Sequence, residues 1–159
     1  MKKIDFISTT NTLITKDDQI LFVQRDKNLK DFPGWLMLPG GKQEVNETPS
    51  KTAIRETKEE TGLKIRDPKL KIIATHNHEY QSKVYIVFIF SSTNFSGRLI
   101  KQEKAFGKPV WLGYNEALNS KNIYPDLKNH IKIMQSLKKH ELVYTYNKFN
   151  EKLEIVESH

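Results

Sequence analysis

The chain has 159 residues, 37% apolar and 28% charged, the balance of an ordinary soluble globular protein long enough for a real core. It contains no cysteine, which excludes disulfides, zinc–thiolate centres and thiol catalysis. Its net charge of +7 would steer polyanionic ligands toward it, although a lysine-rich proteome accounts for that excess equally well.

Residues 4–15 read as a strand, Lys16-Asp17-Asp18 as a turn and residues 20–25 as a second strand. Asp26 to Gly34 is a polar loop ending in Pro33-Gly34. Trp35 to Leu38 is a short apolar strand that runs into Pro39-Gly40-Gly41. A helix of about three turns follows. Thr48 is a good N-cap, Pro49 occupies the first helical position where a missing N–H costs nothing, and Gly62 supplies the left-handed stop. Ala53, Ile54 and Thr57 share the face expected to pack on the sheet. Glu56, Glu59 and Glu60 are three and four apart, so their carboxylates gather on another face. Like charges at that spacing destabilise a helix by roughly a few tenths of a kcal/mol per pair, and such a cluster calls for a cation. Hard oxygen ligands suit Mg²⁺ or Mn²⁺, which also bridge to phosphates. Arg55 is placed to hold Glu47 in a bidentate pair and so close the preceding loop. A lone E-x-x-E-E would favour a plain solvated acidic face instead.

Residues 69–78 read as a strand. His76-Asn77-His78-Glu79 sets two histidines on one side of it, but zinc needs three or four ligands and no third partner is evident. A hairpin turn with incidental histidines is the simpler reading. Residues 83–91 are nearly all apolar, as a central strand buried on both faces would be, and their aromatics fill the core. Asn94 to Gly97 is a turn, Pro109 to Leu112 a short strand and 114–119 a short helix. A longer helix spans about 126–139, with Leu127, Ile131, Met134 and Leu137 as its buried stripe. The tail alternates from Leu142 to Tyr146 and again from Leu153 to Val156, a C-terminal β-hairpin.

This order predicts an α+β fold or a mixed sheet with helices on both sides. No boundary divides it, so residues 1–159 are expected to form one domain. No apolar run is long enough to span a membrane, and MKKIDFISTT lacks a signal-peptide core, which predicts a cytoplasmic protein. There is no P-loop, no G-x-S-x-G elbow and no aromatic RNP strand. Lys128, Lys132, Lys138 and Lys139 make the C-terminal region basic, which leaves RNA open as a partner.

Residues 41 to 63 also fit the pattern G-x5-E-x7-R-E-U-x-E-E-x-G-U at all seven fixed positions, from Gly41 through Glu47, Arg55, Glu56, Glu59 and Glu60 to Gly62. Chance gives this in fewer than roughly one chain in a million of this length. The segment resembles the Nudix box of pyrophosphohydrolases. Thr57 is the one departure, standing where that family usually has an apolar residue. The resemblance implies an α/β/α sandwich around a mixed sheet. It implies that Glu56, Glu59 and Glu60, helped by the Gly40 carbonyl, hold Mg²⁺ (Mn²⁺ substituting). Glu56 would orient or deprotonate the attacking water, and Glu47 and Arg55 would hold the loop. Glu103 is the match for a further acid that family members recruit from a later loop, with a solvated loop acid as the alternative.

The C-terminal half resembles the MutT-type and oxidised-purine nucleoside triphosphatases, which carry an aromatic-Pro-Asp segment before the last helix. Here it is Tyr124-Pro125-Asp126. By that resemblance Tyr124 stacks on a base, Asp126 bonds its edge, and Arg25 and Lys42 contact substrate. Leu127 replaces a second Asp, and Leu36-Met37-Leu38 lacks the asparagine that reads an oxidised purine. Helix-start chemistry is the alternative for Tyr124 and Asp126. The implied reaction is Mg²⁺-dependent cleavage of nucleoside triphosphates to monophosphate and pyrophosphate, extending to oxidised nucleotides. The alternatives are another nucleoside diphosphate-X (RNA 5′ ends, ADP-ribose, a dinucleoside polyphosphate) or a non-catalytic nucleotide-binding module.

Overall fold

The computed structural model describes residues 3–30, 32–100, 107–134, 140–146 and 154–158. The first two strands, β1 (Asp5–Lys16) and β2 (Gln19–Gln24), form a hairpin whose turn is made by Asp17 in the left-handed region at φ 52°. The elements that follow are β3 (Leu36–Met37), β4 (Gly40–Lys42), α1 (Pro49–Thr61), β5 (Lys64–Ile65) and β6 (Lys69–His78). After a 3₁₀ turn at Glu79–Gln81 come β7 (Lys83–Ser92), β8 (Phe95–Ser96), β9 (Lys108–Gly113), α2 (Tyr114–Asn119) and α3 (Pro125–Met134). The chain closes with β10 (His140–Tyr146) and β11 (Glu154–Ser158), paired antiparallel as a hairpin.

The main sheet runs β11-β10-β6-β7-β1-β2-β3, with β4 added to β1 and β9 to β2. β1 pairs parallel with β7, and β6 parallel with β10, while the other pairs are antiparallel. β1 serves two neighbours along one edge: its middle, Thr9 to Asn11, takes β4, and its end, Thr15 and Lys16, takes β2. That split brings Gly40 and Gly41 against the centre of the sheet.

Both faces are covered, and the period of two along the strands sorts the side chains. On β1, Leu13 joins the larger core and Ile14 the smaller; on β2, Ile20 and Phe22 join the larger and Leu21 the smaller. The larger core is closed by Ala117 of α2 and by Leu127, Ile131 and Met134 of α3. The smaller one, Ile14, Leu21, Leu63 and Ile65, is closed by Ile54 of α1 with Phe95 and Trp111. The result is the mixed-sheet α/β/α sandwich with one helix-bearing layer on each side.

Several expectations are refined. Asn94 to Gly97 is more than a turn, because Phe95–Ser96 pairs with Lys64–Ile65 as a separate two-stranded sheet. β7 is central, but Val84, Tyr85 and Ile86 in its first half are only half-buried. The long helix is described over Pro125–Met134, and the expected continuation through Leu137 lies outside the described residues. No helix among the described residues is long and apolar enough to cross a membrane.

Candidate active site

Helix α1 is delimited by the local chemistry its sequence carries. Thr48 accepts from Lys51 N at 3.3 Å, Pro49 opens the first turn, and Gly62 (φ 81°) ends the helix in the left-handed conformation, its N–H bonded to Lys58 O. Thr52, Ala53, Thr57 and Thr61 are buried against the sheet. This fixes the rotation of the helix and turns Glu56 and Glu60 toward the Gly40–Gly41 strand.

The contact there is close. A Cβ on Gly41 would lie 2.4 Å from the Glu56 Oε1 atom, so no side chain fits at that position while the carboxylate is where it is. Gly40 N donates to Glu60 Oε2 at 2.9 Å. The structure thus ties Gly40 to the carboxylate cluster through its N–H.

Arg55 organises the rest. It forms the bidentate pair with Glu47, Nε to Oε1 at 2.8 Å and Nη2 to Oε2 at 3.0 Å. Glu47 also accepts from Thr52 Oγ1 at 2.8 Å and from Glu44 N at 3.2 Å. Arg55 Nη1 reaches Glu56 Oε1 at 2.9 Å and Glu59 Oε2 at 3.1 Å, and Nη2 reaches the Lys42 carbonyl at 3.1 Å. One guanidinium therefore touches three of the acids and the strand before the helix. Its hydrogen bonds hold the Glu47 carboxyl down to about 2, and Glu47 in turn raises the Arg55 guanidinium.

Glu56 and Glu60 are perturbed the other way. Burial pushes Glu56 up, against the pull of Arg55. Burial pushes Glu60 up to about 7, opposed by the Gly40 N–H and by the nearby charge of Arg25. Two desolvated carboxylates and a third beside them favour a bound cation, and all their donors are hard oxygens. The residues fit Mg²⁺ or Mn²⁺ by that chemistry. Among the described residues no three acidic or imidazole side chains already converge on a single metal point, because Glu56 and Glu59 turn to Arg55 and Glu60 to Gly40.

The other expected site residues fall at varied distances from this centre. Arg25 follows β2, bonds by its N–H to Trp35 O at 2.8 Å, and is near enough for its charge to act on Glu60. Lys42 ends β4 with an exposed side chain. Tyr124 is half-buried just before α3 and packs edge-on against Phe32 and Trp35. Asp126 is turned into the protein, 1% exposed, with Oδ2 3.5 Å from His76 Nδ1. His130 of α3 lies beside them, its ring 6.5 Å from that of His76. His76 is accordingly not an incidental turn residue: it belongs to β6 and to a buried polar cluster. The i, i+4 spacing of Asp126 and His130 was the available signal for that cluster. Glu103 lies outside the described residues.

Against known proteins, the profile described as the NUDIX domain matches residues 6–137. The chain belongs to the Nudix family. The uncharacterised Nudix hydrolase YvcI of Bacillus subtilis (strain 168) is 30% identical over 113 residues, covering 69% of this chain and 68% of that protein. An ADP-ribose pyrophosphatase of Methanocaldococcus jannaschii is 47% identical over 51 residues, only 32% of this chain and 29% of its own. Among solved structures, the mutator MutT protein from Bacillus halodurans superposes with a TM-score of 0.78 at 26% identity, covering 96% of each chain. The protein is a Nudix hydrolase with MutT-like structural neighbours, and the carboxylate helix described above is its Nudix box.

Proposed function

We propose that this Nudix hydrolase is a Mg²⁺-dependent pyrophosphohydrolase that cleaves nucleoside triphosphates to monophosphate and pyrophosphate, working as one domain in the cytoplasm. The observation that carries the reading is the half-buried carboxylate pair of Glu56 and Glu60 against Gly40 and Gly41, complete with its Arg55–Glu47 brace. The likeness to the Bacillus halodurans MutT protein over 96% of each chain supports the triphosphate class. Mg²⁺, when bound, neutralises phosphate oxygens and lowers the pKa of a bound water.

The chain's own residues divide the remaining work. Glu56, Glu59 and Glu60 would hold the cation, together with the Gly40 carbonyl. Glu56, raised by burial, is suited to orient and deprotonate the attacking water. Arg55 neutralises Glu47 and keeps Glu56 and Glu59 in reach. Arg25 and Lys42 would meet the phosphates and Tyr124 the base. Asp126 pairs with His76 inside the protein, so we assign it to holding the start of α3 and not to reading a base edge. Oxidised purines are a narrower extension of this reading, since Leu36-Met37-Leu38 offers no amide to read them.

The local match to an ADP-ribose pyrophosphatase favours a second reading, the same chemistry on a nucleoside diphosphate sugar. A Mg²⁺ substrate panel that resolves pyrophosphate from orthophosphate separates the two. It should contain canonical and oxidised nucleoside triphosphates, ADP-ribose, a dinucleoside polyphosphate and triphosphorylated RNA, with Glu60→Gln as control. Pyrophosphate release confined to triphosphates establishes the first reading. Turnover of ADP-ribose alone establishes the second, and tight nucleotide binding without turnover would reduce the protein to a binding module.

A further inference from the structure

Thr10 of β1 is 1% exposed, and its hydroxyl makes no hydrogen bond among the described residues. A buried hydroxyl without a partner costs stability, and valine would fill nearly the same space without that cost. Core packing alone therefore gives no reason for a threonine at this position.

The sheet gives one. In the antiparallel pairing of β1 with β4, Thr10 stands directly opposite Gly41. Directly opposed residues project to the same face of a sheet, with Cβ atoms roughly 5 Å apart. Gly41 has no Cβ, and the place where one would stand is taken by the carboxylate of Glu56, whose two oxygens and Cδ are the nearest atoms to it. The Thr10 side chain therefore flanks that carboxylate across the strand pair, on the face covered by α1. On its other side Thr10 is paired with Phe88 of β7, whose side chain has no polar atom to accept from it.

Glu56 already has one strong donor. Arg55 Nη1 reaches its Oε1 at 2.9 Å, and the same nitrogen reaches Glu59 Oε2 at 3.1 Å. An ionised carboxylate has roughly four acceptor sites, so that bond leaves capacity for a second donor. Arg55 and a bound cation compete for this carboxylate, since both are positive and both need its lone pairs. A neutral hydroxyl on the strand side can hold it without entering that competition.

We infer that Thr10 is a positioning residue of the carboxylate site: its hydroxyl donates to Glu56 in the cation-bound protein and keeps that carboxylate aimed away from Arg55. That role rests on the proposed metal chemistry and deepens it by a residue outside the Nudix box. Hydrogen bonds that orient a metal ligand are worth about 10–100-fold in affinity. Thr12 supplies the control. It is 0% exposed on the same face and its hydroxyl is equally unpaired among the described residues, but it lies past the last β4 pair, Asn11↔Gly40.

The test is a Mn²⁺ titration of the nucleotide-free protein, followed by electron paramagnetic resonance of the free ion, beside urea unfolding in chelator. Thr10→Val should raise the Kd for Mn²⁺ about tenfold, and Thr10→Ser should restore it to within about twofold. In chelator Thr10→Val should unfold at the same urea concentration as the wild type or a higher one, because an unpaired hydroxyl has been removed. Thr12→Val should do the same in chelator and leave the Kd unchanged. An unchanged Kd in Thr10→Val, an equal rise in Thr12→Val, or no recovery in Thr10→Ser overturns the role. A second readout needs no variant. In a crystal structure of the wild type with Mn²⁺ bound, Thr10 Oγ1 should lie within about 3 Å of a Glu56 oxygen, and a longer separation overturns the role as well. A wild type that binds no Mn²⁺ defeats the metal site and Thr10 with it. One that binds Mn²⁺ but releases no pyrophosphate from any triphosphate defeats the proposed substrate alone, and the two Kd comparisons still decide Thr10.

Discussion

The two faces of the central sheet are built from different materials. The α3 face buries fourteen apolar residues in one cluster, and the α1 face four, among the described residues. Thr10, Thr12, Thr52, Thr57 and Thr61 are buried as well, and all five lie on α1 or on the alternation of β1 that carries Ile14. The hydroxyls of Thr10, Thr12 and Thr57 make no hydrogen bond among the described residues, which lowers the cohesion of that face. The reason lies in the site. Glu56 occupies the space that a Cβ on Gly41 would need and Glu60 accepts from Gly40 N, and a helix held that close to β4 suits small residues beneath it. Stability is concentrated on one side of the sheet and chemistry on the other.

Breaking each face in turn should give opposite phenotypes. On the α1 face, Glu60→Gln should lower turnover on the order of 10³-fold while far-UV circular dichroism stays native, because the loss falls on transition-state stabilisation. On the α3 face, Phe22→Ala should cost about 3–5 kcal/mol in urea unfolding, since Phe22 is fully buried, with turnover little changed under conditions where the variant stays folded.

Acidity should sharpen the contrast. Burial pushes His76 from 6.5 down to about 3 and His130 from 6.5 down to about 4. The unfolded chain takes up protons that the folded one refuses, so their contribution is fully present above 6.5 and is lost as pH falls toward those lower values. Glu60 has the opposite sign. Its folded carboxyl is raised from 4.5 to about 7, so its contribution in chelator is present below 4.5 and lost as pH rises through 7. Urea unfolding from about pH 4 to pH 8 in chelator should show both limbs. Glu60→Gln should weaken the neutral limb, which the raised Glu56 shares, and His130→Gln the acid one, which His76 shares; an unaltered profile in either variant would contradict the assignment.

The smallest effect is expected at Thr57. Thr57→Val removes a buried hydroxyl that has no partner among the described residues, and should stabilise by up to about 1 kcal/mol with turnover within about twofold. A marked loss of activity would give that hydroxyl a part in placing Glu56 and Glu60.

What could be read in advance was whatever the chain settles locally. Thr48, Pro49 and Gly62 delimit α1, and Glu47 and Arg55 find each other across a single loop, because both depend on residues a few positions apart. The strands β4, β5 and β8 are two or three residues long and carry no period to detect; they exist because their partners supply the hydrogen bonds. The His76–Asp126 pair and the Phe32–Trp35–Tyr124 cluster join segments far apart in sequence, and only the sheet order brings them together. Thr57, the one departure from the box pattern, is fully buried as its helix face predicts, on a side of the sheet where five threonines do the filling.

The parallel pairing of β1 with β7 runs from Asp5↔Lys83 to Ile14↔Ser92. During synthesis every Nudix-box carboxylate has therefore been made, and α1 capped, well before the strand that completes β1's other edge exists. Until residue 92 is available, β1 presents an open edge to solvent and to other nascent chains. Competence to bind a cation would arrive late and together with closure of the sheet. A fragment ending just after Gly62 would hold the motif and the β4 strand it presses on, without the β7 strand that completes the sheet beneath them.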